Sequence, residues 1–348
     1  MSEKVPSVRT SALILLLVVC WRILGAPVTA QDLEGLRTEM WQARELLGKR
    51  VARVLQGWMQ PPEEAQAEPA ISVYLTQENR LVPMTLEGYV CGVVAAEMPA
   101  RYHMEALKAQ AVAARTRVLR QMQEGGCSQH EGADICTDSA HCQGYATLAE
   151  CESRWGESYP AYRDRIHQAE AETRGEVLSY DGELITVLYH AMSGGVTEDA
   201  QAVFSQSVPY LKSVESAGEE DAPGFYAEAS FTHQEMAEKL SALPGCESLT
   251  AQQVQRTFAI ASYTDTGRVR TLRVGDQEVS AVEVRRALGL RSTWFSITSD
   301  GASVTFLQRG YGHGVGMSQV GANSMGANGQ DYAQILMHYY PGTRLSAR

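Results

Sequence analysis

The stretch from Met104 to Met122 constrains the fold more than any other part of the sequence. Leu107, Ala111, Ala114, Val118 and Met122 recur at steps of three and four, which places them on one face of a helix. Alanines on that face let a second helix approach closely, so this helix belongs in a packed interior. Just before it, Leu86 to Glu97 reads as another helix, stopped by Met98-Pro99. Leu86, Val90, Val93 and Glu97 share a face at offsets of 0, 4, 7 and 11, so an apolar stripe ends on a carboxylate. Burial beside that stripe disfavours the charged form and raises the pKa, which keeps a carboxylic acid protonated near neutral pH. Glu97 is therefore a general-acid candidate, against the plainer reading of a helix-end glutamate that reaches water or pairs with an arginine. Arg115, within the long helix, offers a planar fork of donors that can orient Glu97 or hold a polar substrate. Taken alone it reads as an ordinary ion pair.

The remaining segments sort around these helices. Residues 1–30 read as an address: Lys4 and Arg9 precede the apolar run Ala12 to Trp21, and Val28-Thr29-Ala30 offers small residues for cleavage. This predicts export, with the segment either removed as a signal peptide or retained as a membrane anchor. Residues 31–60 read as an amphipathic helical stalk, with Leu33, Leu36, Met40, Leu47, Val51, Val54 and Trp58 along one face. Residues 61–69 form an acidic, proline-rich linker, and the globular region is expected over 70–348. Its 44% hydrophobic content supports sizeable cores. The net charge of −11, without any basic run, excludes nucleic acid as a partner. It also repels an anionic wall or membrane surface, so such a target needs a shaped groove rather than bulk attraction.

His130, Cys136, His141 and Cys142 form the most distinctive polar cluster. Imidazole and thiolate suit zinc, and four such ligands close a tetrahedral site with no position left for water, the mark of a structural ion. The spacing is not that of a zinc finger and equally admits a disulfide involving Cys136 or Cys142 with bystander histidines. Of the other cysteines, Cys91 reads as a buried free thiol, Cys127 and Cys151 as partners in an oxidising compartment, and Cys246 as unassigned.

Further on, Val177 to Tyr180, Asp181-Gly182 and Leu184 to Tyr189 give the pattern of a tight hairpin running into Ser193-Gly194-Gly195. Ser193 and Gly194 are candidate sugar contacts or a plain turn; no G-x-S-x-G elbow supports a serine hydrolase. A capped helix follows at Thr232-x-x-Glu235, then strands near Val269 to Val274 and Trp294 to Ile297. Gly310, Gly312, Gly314, Gly316 and Gly321 match no phosphate-binding loop, and bring His313, Ser318 and Gln319 toward a sugar or toward Glu97. A C-terminal helix runs from Asp331 through His338. These segments predict an α+β fold of two lobes, an early helical one and a later strand-rich one, closed over by the C-terminal block.

The string LEGYVCGVVAAEMPARYHMEALKAQAVAARTRVL at 86–119 closely resembles the signature of the stage II sporulation protein D family, which includes amidase-enhancer proteins of bacterial walls. The resemblance continues in HCQGY at 141–145, AMSGG at 191–195, GRVRTLRV at 267–274, RRALGLRSTWFSI at 285–297 and RGYGHGVGMSQVGANSMGANGQDYAQILMHYYPGT at 309–343. It implies an extracytoplasmic lytic transglycosylase, anchored in the membrane of the sporulation septum. The implied substrate is peptidoglycan glycan strands stripped of stem peptides, and the implied partners are a cell-wall amidase and membrane proteins of forespore engulfment. By motif, Glu97 is the implied catalytic acid and Arg115 the matching arginine. Gln110, Gln143, Tyr145, Ser193, Gly194, His313, Ser318 and Gln319 are the substrate-binding candidates within the matching blocks, and the HC pair favours structural zinc. The chemistry accords with this without requiring it: most glycosidases need two carboxylates, whereas the sequence marks one strongly, and with Glu131 and Asp138 near the metal motif but not placed opposite Glu97, an ordinary hydrolase stays open. A wall-binding scaffold that stimulates an amidase is the non-enzymatic alternative.

Overall fold

The hydrophobic pattern around the two helices draws most of the chain into one interior. The structure, a computed structural model, describes residues 70–347. The expected leader or anchor at 1–30, stalk at 31–60 and linker at 61–69 lie outside the described residues. Among the described residues no helix is long and apolar enough to cross a membrane.

β1 (Ala70–Leu75) and β2 (Arg80–Thr85) form an antiparallel pair with β2 at the sheet edge. Pro83 is tolerated there because an edge strand has a side that needs no amide donor. Thr85 accepts a hydrogen bond from Gly88 N at 3.1 Å and so caps α1 (Leu86–Glu97). After Met98-Pro99, His103 caps α2 (Met104–Gln123). β3 (Ile135–Cys136) runs parallel to β1; α3 (Leu148–Trp155), with a Thr147–Glu150 capping box, and α4 (Tyr159–Ala171) follow.

β4 (Glu176–Tyr180) and β5 (Glu183–Leu184) make the expected hairpin, with Asp181 and Gly182 at φ 50° and 86°. Its second strand is shorter than the alternation suggests. Ile185 and Val187 leave the ladder for the core, and β6 (Tyr189–His190) pairs elsewhere. α5 (Ala200–Phe204) leads to β7 (Tyr226–Thr232), α6 (His233–Leu240), which carries the Thr232–Glu235 capping box, and α7 (Ala251–Thr257). β8 (Ala259–Tyr263), β9 (Val269–Val274) and β10 (Gln277–Ser280) form an antiparallel meander. α8 (Ala281–Leu288) then precedes β11 (Phe295–Ser299) and β12 (Ser303–Arg309), which complete a sheet ordered β11-β12-β7. β13 (Met317–Ser318) pairs in parallel with β6, ahead of α9 (Gln319–Ala327) and α10 (Tyr332–Tyr339); β14 (Arg344–Ala347) closes on β4.

The class is α+β with several small sheets. α2 packs against α1, α4, α9 and α10, and its alanines 106, 109, 111, 113 and 114 are fully buried, as the small-residue pattern demands. The apolar cluster around α2 takes in Val315, Met317, Ile335 and Tyr339 from the C-terminal block. A separate cluster, including Met236, Leu272, Val284, Phe295 and Phe306, lies wholly within the chain between β7 and β12.

One expected role changes here. Arg115 does not orient Glu97: its Nε and Nη2 donate to both oxygens of Glu87 at 2.7 and 2.5 Å, and Nη1 donates to the Glu176 carbonyl at 3.1 Å. It ties α1 and β4 to α2 from a fully buried position. Removing one member of such a pair strands the other, at a cost of about 3–5 kcal/mol. Arg115→Met is therefore expected to lower unfolding stability in urea by that order, with the Arg115→Met/Glu87→Leu double variant recovering part of it. Equal and additive losses would show that the pair is not coupled.

Candidate active site and metal centre

Glu97 is the last residue of α1, where the apolar stripe runs out and the side chain is half-buried. Oε1 accepts from the Gly144 amide at 2.8 Å and Oε2 from Gln319 Nε2 at 3.2 Å. Burial raises its pKa, against the opposing pull of these two donors and of Arg117. The charged neighbour acting on it is thus an arginine rather than a second carboxylate. A Cβ at position 144 would lie 2.8 Å from Glu97 Oε1, so any larger residue there would displace the carboxylate from its place. Gln319 reaches the carboxyl at the end of α1, one of the two places expected for it, and Arg117 takes the electrostatic place expected of Arg115. Two residues along a helix turn the side chain through about 200°, so Arg115 and Arg117 look to opposite sides of α2.

The other candidates divide by what they touch. Gln110 and Gln143 are buried, each with an Nε2 that has no hydrogen-bond partner among the described residues. Gln319 Nε2 reaches Gln110 Oε1 at 3.4 Å, and Tyr189 OH donates to Gln143 Oε1 at 2.8 Å. Both glutamines therefore carry unsatisfied donors close to the Glu97 carboxylate or its partners. Tyr145 lies over Gly92, where a Cβ would meet its ring at 2.1 Å. It opens with Trp155 and Tyr159 onto a groove of about 790 Å³.

Ser193, Ser318 and His313 are not free for a ligand. Ser193 and Ser318 are fully buried and donate to Glu219, and Gly194 N donates to the same carboxylate at 2.8 Å. His313 accepts from Val315 N at its Nδ1 and donates from Nε2 to the Tyr189 carbonyl, both at 3.1 Å. Burial, helped by Arg285, pushes its pKa down to about 4, so it stays neutral and structural.

Glu219 had no sequence signal of its own. It stands in the run Glu219-Glu220-Asp221, which reads as a solvated loop, yet it is 0% exposed. Glu198 is similar: buried, it accepts from Thr264 and Thr266 at 2.7 and 2.6 Å, beside Arg268.

The metal ligands also regroup. Cys127, Cys136, His141 and Cys142 place one donor atom each within 4.8 Å of one another. His130 instead stacks on Tyr74, with ring centroids 3.7 Å apart, so Cys127 takes its expected place. His141 Nδ1 lies 3.6, 3.5 and 3.2 Å from the sulfurs of Cys127, Cys136 and Cys142. A tetrahedral zinc with bonds of about 2.3 Å to sulfur and about 2.0 Å to nitrogen separates such atoms by roughly 3.5 Å, so the donor set fits. Ser128 Oγ, 3.1 Å from His141 Nε2, holds the outer ring nitrogen. Cys127 is thus not partnered with Cys151, which packs among Ala95 and Ala146. Cys91 is a free, half-buried thiol pushed up to about 12, chiefly by burial.

The family profile described as Stage II sporulation protein matches residues 74–180. Stage II sporulation protein D of Bacillus subtilis (strain 168) is 36% identical over 285 residues, 82% of this chain and 81% of the relative. That of Bacillus amyloliquefaciens is 34% identical over the same shares. An "Amidase enhancer" of Bacillus subtilis is 29% identical across 74% of this chain and 40% of its own length.

Because folding raises the Glu97 pKa above its unfolded value of about 4.3, the ionised form costs stability. That cost is absent below the unfolded pKa and is complete once pH has risen through the folded one. Glu97→Gln is expected to melt above the parent protein at pH 7, with the difference closing as pH falls toward about 4. A difference independent of pH in calorimetric scans would contradict burial of an ionisable acid here.

Proposed function

The chain belongs to the stage II sporulation protein D family, and on that premise we propose that it is a peptidoglycan lytic transglycosylase acting on peptide-free glycan strands during forespore engulfment. The observation that carries the reading is a single, half-buried carboxyl, Glu97, whose pKa is raised and whose two oxygens are held by Gly144 and Gln319. Hydrolysis by the usual route needs a second carboxylate to activate water or attack the sugar. A transglycosylase needs only one. Protonated Glu97 gives its proton to the glycosidic oxygen as the bond to the muramyl anomeric carbon breaks. The 6-hydroxyl of that muramyl unit then attacks the same carbon and returns its proton to Glu97, leaving a 1,6-anhydro end. The amide donors of Gln110 and Gln143 are available to polar groups of the sugar once it displaces their cover, and Tyr145, Trp155 and Tyr159 offer ring faces in a neighbouring groove whose wall includes Ala95, two residues before Glu97 on α1. Arg117 stabilises the carboxylate in the half of the cycle in which it is charged.

Zinc, held by Cys127, Cys136, His141 and Cys142, would neutralise the crowded thiolates and brace the loop that presents Gly144. Four protein ligands leave no coordination position for substrate, so its part is structural. The strand-rich insert between β7 and β12 and the region around α2 act as two lobes, and the N-terminal segment holds the chain at the septal membrane, outside the cytoplasm. A cell-wall amidase that strips the stem peptides is the partner in sequence. The name of the amidase-enhancer relative supports an association of that kind.

Peptide-free strands incubated with the full chain are expected to yield fragments bearing 1,6-anhydro ends by mass spectrometry, with Glu97→Gln reducing the rate of their formation by about 100- to 10,000-fold. Products heavier by one water would identify a hydrolase. No products from folded protein, with retained stimulation of an amidase by Glu97→Gln, would identify a scaffold. Chelation of the metal is expected to lower the melting temperature and to remove activity only in parallel with unfolding. Activity lost from a protein that still melts at its original temperature would place the ion in the chemistry instead.

A further inference from the structure

The outer face of the β11-β12-β7 sheet carries a feature that the reaction at Glu97 leaves unused. Strand pairing sets Arg309 opposite Tyr226, and Arg309 N donates to the Trp294 carbonyl at 3.0 Å. Trp294, Arg309 and Tyr226 thus stand side by side across the strands. With Tyr263 they line an open groove of about 780 Å³. Tyr226 and Tyr263 are 71% and 58% exposed, which is unusual for two large rings on one surface.

Arg309 is the chemically telling member. Its Cζ lies over the Trp294 ring, 3.4 Å from the centroid. A cation–π contact this close restrains the guanidinium while its two terminal nitrogens stay available for a bidentate acceptor. Among the described residues no ion pair or side-chain hydrogen bond involves Arg309, and its Nε is buried without a partner. In a chain of net charge −11, a cation held in place and left without an acid is a site prepared for an external anion. Glu228 stands on the same face of β7 as Tyr226, one alternation or about 7 Å away. A carboxylate at that end would accept hydroxyl groups of a ligand whose own anion sits on Arg309.

A sugar face stacks on exposed tyrosine rings, and a carboxylate takes the arginine fork. Glycan strands released from their stem peptides at the amide bond carry both groups, because each muramyl unit is left with a free lactyl carboxylate. We propose that this sheet face is a second glycan subsite, in which Tyr226 and Tyr263 take a sugar ring and Arg309 takes the lactyl carboxylate exposed by peptide removal. The inference rests on the reading that peptide-free strands are the substrate, and it assigns recognition of the stripped state to a place other than Glu97. The groove backs onto the Ser193-Gly194 turn: a Cβ at Gly194 would meet Trp294 at 3.0 Å and Arg309 at 3.3 Å. It is thereby connected through buried structure to the segments that reach Glu97.

Binding is measured with the full chain carrying Glu97→Gln, so that strands stay intact, by calorimetric titration of peptide-free glycan. Adding Arg309→Gln or Tyr226→Ala is expected to weaken binding about 10-fold. Strands whose carboxylates have been reduced to alcohols should bind the Arg309 protein equally weakly and be indifferent to Arg309→Gln. Unchanged affinity in both variants, each with an unaltered melting profile, overturns the subsite, as does tight binding of the reduced strands. If Arg309→Gln fails to fold, Tyr226→Ala, at an exposed ring, decides alone. An Arg309-dependent affinity for an acidic peptide, without one for glycan, also overturns it. Failure of the reaction reads differently: a chain that binds strands through Arg309 yet yields no fragments overturns the transglycosylase and leaves the subsite standing.

Discussion

The buried carboxylate of Glu219 is the interaction on which the site depends. Its oxygens accept from Ser193, Ser216 and Ser318 and from the amide of Gly194. A buried charge with fewer partners would cost several kcal/mol. Here the donors, and the nearby Arg268, offset that cost. The consequence is geometric. Two segments distant in sequence, at Ser193-Gly194 and at Ser318, converge on one carboxylate, and Ser318 is also the N-cap of α9. The next residue, Gln319, is therefore delivered to Glu97, so the charge that anchors α9 also sets a hydrogen bond of the acid.

The cysteine–histidine cluster adjoins the same carboxyl from the other side. Cys142 precedes Gly144 by two residues, and Gly144 supplies the amide that binds Glu97. Arg117 reinforces this loop, donating to the His141 carbonyl at 3.4 Å and to the Val187 carbonyl at 2.9 Å while its charge acts on Glu97. The acid is thus held between two independently braced segments, which is how a preorganised site keeps its geometry without help from the substrate.

Much of the fold was legible from local pattern. The bounds of α1, the start of α2, the hairpin turn at Asp181-Gly182 and the capping box at Thr232 follow from periodicity and side-chain chemistry that act within a few residues. Glu97 was legible for the same reason, as the polar end of an apolar stripe. Arg115 was drawn toward Glu97 by its position in a helix that had to pack nearby, but the partner it met was Glu87. His130 stood at a plausible ligand spacing, yet Tyr74 offered its ring a stacking surface and Cys127 lay nearer the other donors. Ser193 and Ser318 had the chemistry to hold a sugar and were taken instead by a glutamate from an acidic loop.

The sequence by itself determined most of the elements, the class, the place of Glu97 at the end of an apolar stripe and three of the four residues of the cysteine–histidine cluster, because helix periodicity, capping and side-chain chemistry are local properties. Only the tertiary structure decided which arginine faces the acid, which cysteine joins the ligands and which carboxylate gathers the serines. Those outcomes depend on competition among donors and acceptors brought together from distant parts of the chain. A buried polar group takes the partner that removes its desolvation cost, and no spacing along the sequence records which partner that will be.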